Sequence, residues 1–169
     1  MIRVLIVGRK SFIGSNLYFF LKKKLFVKKI SYDELIKKNI KFFKKYSYII
    51  NCSVHPSYMR YRYQTKFDND IKIAKKIKNI NIKYIFISSR KIYRSKFDIK
   101  ENSLLNPKCN YSKNKLITEK KLTSIIKNRV LIFRVSNIIG LPIINNNKKI
   151  HWTFVDDFFY FANKGVIFN

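Results

Sequence analysis

Five short apolar segments alternate with helix-forming segments along most of this 169-residue chain. We predict strands at the apolar segments, which cover residues 3–7, 26–30, 48–52, 84–88 and 130–135. A helix between successive strands favours parallel pairing, because the chain must cross the sheet before it starts a new strand in the same direction. The alternation therefore predicts an α/β fold, built on a doubly wound parallel sheet with helices on both faces.

The segments between the strands carry helical spacing or capping signals. Phe12, Leu17 and Leu21 recur at helical spacing, and Ser31 and Glu34 form a predicted capping box. The predicted helices cover residues 11–24, 31–45, 69–79, 111–127 and 153–163. We expect loops at residues 53–65 and 90–110. Because no repeat or linker interrupts the pattern, we expect residues 1–169 to form a single domain.

The first predicted strand runs directly into a glycine turn, the heptapeptide GRKSFIG at residues 8–14. Glycine lets the backbone turn sharply and approach a pyrophosphate, and the helix that follows offers free N–H groups at its start. The turn predicts the pyrophosphate site of a Rossmann-type dinucleotide-binding domain, with contacts from Gly8, Ser11, Phe12, Ile13 and Gly14. Ser11 replaces the central glycine of that pattern, and its side chain can crowd a ligand. The alternative is a tight turn that packs helix against strand and binds nothing.

The second predicted strand does not decide between NAD and NADP as the cofactor. An acidic residue at its end would bind the ribose hydroxyls of NAD, but Ile30 and Ser31 stand there. Lys28 and Lys29 could meet the 2′-phosphate of NADP, although lysine is frequent throughout the chain. We therefore predict a nicotinamide dinucleotide and leave the choice between NAD and NADP open.

Tyr111 and Lys115 form a Tyr-x-x-x-Lys motif at the start of a predicted helix. The four-residue spacing places both side chains on one helix face. A free tyrosine hydroxyl has a pKa of about 10 and exchanges protons poorly at neutral pH. A neighbouring ammonium group favours the phenolate, so we expect Lys115 to lower the pKa of Tyr111 into the useful range. Ser89 ends the preceding strand, where its hydroxyl can bond a substrate oxygen.

The order of these motifs resembles that of the extended short-chain dehydrogenase/reductases, also called NAD-dependent epimerase/dehydratases. The matching segments are residues 8–14, 50–53, 85–89, 105–107 and 134–140, together with Asn69, Tyr93, Glu101, Tyr111, Lys115 and Glu119. The resemblance implies that Cys52, Ser53 and Asn69 line the cofactor.

The resemblance also implies roles around the substrate, a nucleotide sugar. Ser89 would hydrogen-bond the sugar oxygen, and Tyr111 would act as the acid and base. Lys115 would bind the nicotinamide ribose while tuning Tyr111, and Asn137 would contact the substrate. Members of the family often form homodimers, which leaves a homodimer open for this chain.

Three departures from the family pattern shape the prediction. Arg90 and Lys91 stand where the 4,6-dehydratases of the family have an Asp-Glu pair, which favours a nucleotide-sugar epimerase or 4-keto-sugar reductase over a dehydratase. The stretch between residues 30 and 48 is short, so we expect one strand of the sheet to be short or missing. Members of the family continue beyond the length of this chain, so we expect the C-terminal substrate lobe to be largely absent.

The charge balance suggests other hypotheses. The chain has 37 Lys and Arg against 9 Asp and Glu, a formal net charge of +28. Such an excess is typical of proteins that bind nucleic acid. The basic residues are mostly lysine and are spread evenly among Ile, Asn, Phe and Tyr, which instead indicates the bias of an A+T-rich genome. Besides the enzyme we keep two alternatives: a catalytically silent dinucleotide-binding relic and a basic nucleic-acid-binding protein.

The sequence does not predict export, a membrane span or a metal site. No apolar run approaches the ~20 residues of a transmembrane helix, and the residues after Met1 do not resemble a signal peptide. Cys52 and Cys109 lack metal-ligand spacing, and His55 and His151 are isolated. We expect a cytoplasmic protein with reduced thiols.

Overall fold

The computed structural model describes residues 1–94 and 99–136. Within these residues one sheet contains the strands β1 (Arg3–Val7), β2 (Phe26–Ile30), β3 (Tyr48–Asn51), β4 (Lys83–Ser89) and β5 (Val130–Val135). Their order across the sheet is β2-β1-β3-β4-β5, and every adjacent pair is parallel. The predicted α/β fold of Rossmann type is confirmed, with each strand close to its predicted bounds.

The order in which the strands are added to the sheet reverses between β1 and β3. β2 lies on one side of β1, and the chain then crosses back to place β3 on the other side. Such a reversal opens a crevice at the carboxyl ends of the two strands, where doubly wound folds bind ligands. The Gly8 N–H donates to the Ile30 carbonyl (2.8 Å) and the Cys52 N–H donates to the Val7 carbonyl (2.8 Å). All three strands therefore end level at this crevice.

β2 is the outermost strand on its side in the described part of the chain. Between β2 and β3, a stretch that the structure describes in full, the chain forms two short helices, α2 (Tyr32–Ile36) and α3 (Ile40–Phe43), and no strand. The expected loss of a strand is confirmed for the described residues. The single helix predicted at residues 31–45 is wrong, because Asn39 interrupts it. The Asn39 side chain accepts a hydrogen bond from the Phe42 N–H (3.2 Å) and starts α3 as an N-cap.

The remaining α-helices of the described ranges are α1 (Phe12–Leu21), α4 (Pro56–Arg60), α5 (Asn69–Ile77) and α6 (Asn110–Ile126). The loop predicted at residues 53–65 is wrong in part, because α4 forms within it. His55 caps α4 by accepting a hydrogen bond from the Ser57 N–H (3.1 Å), and Pro56 occupies the first helical position. The polar loop predicted at residues 90–110 begins with a 3₁₀ turn at Arg90–Ile92.

Two apolar cores cover the two faces of the sheet. Side chains alternate between the faces along each strand, so Leu5 packs into one core and Ile6 into the other. The core that contains Leu5 is covered by α2, α3, α5 and α6, whereas Leu17 and Leu21 of α1 cover the core that contains Ile6. Helices therefore lie on both faces, as predicted for a doubly wound sheet.

Two predictions fall outside the described residues: the helix at residues 153–163 and the substrate contact of Asn137. None of the helices that the structure describes is long and apolar enough to cross a membrane. In the same residues, no three His, Cys, Asp or Glu side chains come together as a group that could hold a metal ion.

Candidate functional site

Two glycines shape the turn between β1 and α1. Gly8 has a φ of +107°, a conformation that residues with a side chain rarely adopt. A Cβ on Gly8 would lie 3.0 Å from the carbonyl carbon of Cys52, and one on Gly14 would lie 2.9 Å from the carbonyl oxygen of Gly8. Contacts within the chain therefore require both glycines, whether or not a ligand binds. The same contacts bring the start of α1 against the end of β3.

Ser11 caps α1 from within this turn. Its Oγ accepts a hydrogen bond from the Gly14 N–H (3.3 Å), and its own N–H donates to the Gly8 carbonyl (2.9 Å). The side chain that replaces the central glycine is thus engaged by the helix it starts. The N–H groups of Phe12 and Ile13 belong to the first helical turn, where a helix provides no acceptor of its own. With the positive end of the helix dipole, they form a place where a phosphate group can bind.

Polar side chains join the end of β3 to the start of α5. Asn51 Oδ1 accepts hydrogen bonds from the N–H (3.0 Å) and the hydroxyl (2.7 Å) of Ser53. Asn51 Nδ2 donates to Asp70 Oδ1 (2.8 Å), and Asn69 Nδ2 donates to Ser53 Oγ (3.3 Å). Three residues predicted to line a cofactor, Cys52, Ser53 and Asn69, therefore lie together beside the glycine turn.

Ionisable side chains are buried where α5 and α6 pack on the sheet, and we call four of them the buried charge cluster: Asp68, Asp70, Lys115 and Glu119. Asp68 caps α5 and accepts a hydrogen bond from the Thr118 hydroxyl (2.6 Å). Asp70 accepts one from the Tyr84 hydroxyl (2.7 Å). Burial raises the pKa of Asp70 to about 6, although the nearby Lys115 ammonium opposes this rise.

Lys115 extends into this cluster and is only 3% exposed. Its ammonium group donates to the Ile87 carbonyl (2.7 Å) and lies 4.4 Å from the ring centre of Phe86. An ammonium group has three donors, and among the described residues the Ile87 carbonyl is the one acceptor that it meets. Burial lowers the pKa of Lys115. Four neighbouring acidic groups oppose this effect, in decreasing order Asp70, Asp68, Cys52 and Glu119.

Tyr111 is half-buried and lies one helical turn before Lys115. The Lys115 ammonium is 5.7 Å from the centre of the Tyr111 ring. Burial raises the pKa of Tyr111, and the charges of Asp70 and Cys109 raise it further. The prediction that Lys115 lowers the pKa of Tyr111 is therefore wrong. The reason is that burial of Tyr111 has the largest effect on its pKa, whereas the ammonium group of Lys115 donates to the Ile87 carbonyl.

Ser89 lies at the carboxyl end of β4 and is 7% exposed. Its Oγ accepts a hydrogen bond from the Lys91 N–H (3.2 Å) and so caps the 3₁₀ turn that follows. No hydrogen bond within the described ranges joins Ser89 to Tyr111 or to Lys115. The bond from Lys115 to the Ile87 carbonyl nevertheless anchors the start of α6 to the same strand end.

Glu119 and Arg134 form an ion pair to which the sequence reasoning assigned no role. Arg134 donates through Nη2 and Nε to the two carboxylate oxygens of Glu119 (2.7 and 3.1 Å). Glu119 also accepts a hydrogen bond from the Ser88 hydroxyl, and Arg134 also donates to the Tyr93 hydroxyl (2.6 Å). These bonds tie α6, β4 and β5 together. An open cavity of about 670 Å³ lies beside Tyr93 and Arg134.

Sequence reasoning also missed Asp68 and Asp70, although one signal was available. Of the six acidic residues in the described ranges, three are buried, in a chain with a formal net charge of +28. Carboxylates are scarce in this composition and are rarely buried without a partner. Two carboxylates separated by one residue at the start of a predicted helix therefore indicated buried acidic side chains with specific partners.

Neither protein-family models nor curated protein sequences match the chain. Solved structures do resemble it. A dTDP-4-dehydrorhamnose reductase from Clostridium acetobutylicum is 22% identical with a TM-score of 0.68, over 96% of this chain and 60% of the reductase. A second one, from Yersinia enterocolitica, is 18% identical with a TM-score of 0.67, over 98% and 61%. A UDP-glucuronic acid 4-epimerase from Bacillus cereus, in complex with NAD, is 18% identical with a TM-score of 0.65, over 82% and 58%.

Likeness at these identities establishes a shared fold. The chain has the Rossmann-type fold of nucleotide-sugar reductases and epimerases, so the resemblance indicated by the sequence motifs is confirmed at the level of the fold. The chain spans about 60% of the length of these structures.

Proposed function

We propose that the chain binds NAD or NADP in the crevice between β1 and β3 and acts with it on a nucleotide sugar, as an epimerase or a 4-keto-sugar reductase. The observation that carries this proposal is the arrangement around the end of β3. The glycine turn packs against Cys52. The buried Lys115 ammonium lies near enough to the same residue that its charge lowers the pKa of the Cys52 thiol, against the larger effect of burial.

The residues present fit a dinucleotide. The first turn of α1 offers N–H groups to a pyrophosphate, and Gly8 and Gly14 place no side chain between this turn and β3. Lys115 has two further N–H donors that suit the hydroxyls of a ribose. When the dinucleotide is bound, its nicotinamide ring supplies the group that donates or accepts a hydride.

In this proposal Tyr111 moves the proton that accompanies hydride transfer. The raised pKa of Tyr111 keeps its phenol protonated at neutral pH, which is the form that can give a proton to the oxygen of a keto sugar. Ser89 would bond the same oxygen from the end of β4, and Asn137 stays a predicted substrate contact.

The solved structures with this fold support the substrate class. They include reductases of a dTDP-linked dehydro sugar and a 4-epimerase of a UDP-linked sugar. Basic residues, Arg90 and Lys91, follow Ser89 where carboxylates would be needed to eliminate water. The substrates to test are therefore keto sugars linked to dTDP or UDP. A homodimer and a cytoplasmic location stay predictions from the resemblance and the composition.

Calorimetric titration with NAD⁺, NADH, NADP⁺ and NADPH tests the cofactor half of the proposal. We expect at least one of them to bind, and Lys115→Met to weaken its binding about tenfold or more, since a buried charged donor is lost. Lys113→Met removes an exposed charge two residues away and serves as the matched control. If all four dinucleotides fail to bind, the proposal is wrong.

The same titrations distinguish the nucleic-acid alternative. A chain that binds polyanions through its net charge would lose affinity steeply with salt and would respond equally to Lys113→Met and Lys115→Met. Specific dinucleotide binding predicts unequal effects of the two substitutions at every salt concentration.

Turnover tests the catalytic half of the proposal. We expect oxidation of the bound reduced dinucleotide in the presence of a dTDP- or UDP-linked 4-keto sugar, monitored by its absorbance. Tyr111→Phe should lower turnover by about 10²–10⁴-fold, because the proton donor is lost, while dinucleotide affinity stays near that of the wild type. Tyr61→Phe, at an exposed tyrosine of the same region, is the control. Binding without any turnover would favour the catalytically silent alternative.

A further inference from the structure

Asp70 has no part in the proposed chemistry, yet its side chain is buried. It is 5% exposed and lies in the first turn of α5. Its Oδ1 accepts hydrogen bonds from Asn51 Nδ2 (2.8 Å) and from the Tyr84 hydroxyl (2.7 Å). A buried carboxylate is costly even with such bonds, so a positive charge close to it is expected.

Lys115 provides that positive charge. Asn51 of β3 and Phe86 of β4 are partners in the sheet. Asp70 bonds Asn51, and the Lys115 ammonium lies against the ring of Phe86. The two charged groups therefore occupy neighbouring positions in one buried region, on the face of the sheet that α5 and α6 cover.

We infer that Asp70 is a positioning residue for Lys115: its carboxylate is the buried negative charge that keeps the ammonium group protonated at the end of β4, where the Ile87 carbonyl accepts its hydrogen bond. The inference deepens the proposed function and rests on it in one respect, namely that Lys115 contacts the dinucleotide. It implies that Asp70 acts on the ligand only through Lys115.

Other ionisable groups face this pair from each element packed against it. They are Asp68 of α5, Cys52 after β3, Tyr84 of β4, Tyr58 of α4, Tyr63 after α4, Tyr32 of α2, and Tyr111 and Glu119 of α6. Burial raises the pKa of the Cys52 thiol and of all five tyrosines, so these groups carry no charge at neutral pH. They do not compete with Asp70 as counter-charges.

The other two carboxylates of the cluster, Glu119 and Asp68, bond other side chains. Glu119 is paired with Arg134 through both of its oxygens. Asp68 caps α5 and accepts hydroxyl bonds from Thr118 (2.6 Å) and Tyr63 (3.0 Å). Asp70 therefore remains the principal negative charge that Lys115 meets, and Asp68 comes second.

The test is an NMR titration of lysine side chains in the free protein, without dinucleotide. The Lys115 Cε resonance is identified by its loss in Lys115→Met. Asp70→Asn removes the charge but keeps an oxygen that can accept the bonds from Asn51 and Tyr84. We expect the titration midpoint of Lys115 to fall by about one pH unit or more in Asp70→Asn. Asp33→Asn, which removes an exposed carboxylate from α2, is the matched control and should leave the midpoint in place.

A reciprocal measurement decides the matter if Asp70→Asn does not fold. The Asp70 carboxyl resonance is then titrated in the wild type and in Lys115→Met, where the midpoint should rise because the opposing cation is gone. Unchanged midpoints, or a change in Asp70→Asn no larger than that in Asp33→Asn, would overturn the inference.

Dinucleotide titrations at several pH values extend the test to the site. In Asp70→Asn, affinity should match the wild type at low pH and decline at a lower pH than in the wild type, because Lys115 loses its proton earlier. Asp70→Glu, which restores the charge, should return the pH profile towards that of the wild type. A structural defect alone would weaken binding at every pH and would count against the inference. If the proposed function is wrong instead, no dinucleotide binds at any pH, while the NMR coupling persists.

Discussion

The glycine turn and the buried charge cluster lie at the same edge of the sheet, but they are built from different parts of the chain. The turn is made of backbone, since Gly8 and Gly14 pack against each other and the capping bond of Ser11 spans three positions. The cluster is made of side chains that are distant in sequence. Lys115 reaches a carbonyl 28 positions away, and Thr118 bonds a carboxylate 50 positions away.

This difference determines what each region tolerates. A turn made of backbone loses little when a polar side chain is removed, but it has no room for an added Cβ. A cluster of buried charges accepts no loss of a partner, because the remaining charge is left unpaired in a medium that solvates it poorly. Substitutions in the two regions should therefore lower the free energy of unfolding by different amounts, and the size of each loss can be ranked in advance.

The largest effect is expected from Glu119→Ala in the buried charge cluster. It leaves Arg134 and Ser88 without their acceptor and should lower the free energy of unfolding by about 3–5 kcal/mol. Glu34→Ala breaks the exposed pair with Arg9 beside the glycine turn (2.8 Å) and should cost at most about 1 kcal/mol. Urea unfolding of both variants measures the contrast, and equal losses would contradict the distinction between the two regions.

A smaller but clear effect is expected from Gly8→Ala in the glycine turn. A Cβ there would lie 3.0 Å from the backbone of Cys52, and the alanine would have to adopt a φ of +107°. We expect the free energy of unfolding to fall by about 2–3 kcal/mol. Arg9→Ala, at the exposed neighbouring position, should change it by about 0.5 kcal/mol or less. If Gly8→Ala unfolds at the same denaturant concentration as the wild type, the turn is not constrained as described.

The pH dependence of stability should show the ionisation of Asp70. Its pKa is about 6 in the folded chain and 3.8 as the ordinary value, so between these two pH values the folded chain holds a proton that the unfolded chain has released. Stability from this group is therefore present below about pH 4 and is lost as the pH rises to 6, by about 2–3 kcal/mol. Relative to Asp70→Asn, the wild type should lose this stability across that window and remain level above it. Equal pH profiles of the two proteins would exclude the raised pKa.

The smallest effect is expected from Ser11→Ala, which removes the N-cap of α1. The free energy of unfolding should fall by about 1 kcal/mol, and Ser31→Ala at the N-cap of α2 should cost a similar amount. Thermal unfolding of the two variants tests whether Ser11 has only this local role. A loss several times that of Ser31→Ala would mean that the turn depends on its side chain as well as on its backbone.

The parts of the fold that sequence predicted well are those whose signals are local. The five strands, the glycine turn and the start of α6 all follow from residue type and spacing within about ten positions. The failures at residues 31–45 and 53–65 have a local cause too, since Asn39 and His55 act as N-caps inside segments that had been assigned as one helix and one loop. A side-chain cap of this kind starts a new helix even where the apolar spacing predicts another structure, and packing decides which of the two forms.

For the candidate site, the resemblance grouped Cys52, Ser53 and Asn69 as residues that line a cofactor, and the structure places them together beside the glycine turn. Their contact with a cofactor stays a prediction. It did not anticipate the direction of the Tyr111 pKa or the use of Asp70. Both depend on which groups surround a buried charge, and no spacing along the chain expresses that.

By itself, the sequence determined the α/β order of elements and the place of the glycine turn, since these follow from short-range periodicity and from the conformational freedom of glycine. Only the tertiary structure decided how Lys115 is used. It joined α5 and α6 on one face of the sheet, placed the ammonium group at the Ile87 carbonyl with Asp70 as the acidic group that acts on it most, and buried Tyr111 so that its pKa is raised. The physical reason is that the ionisation of a buried group is set by all the charges and dipoles around it in space.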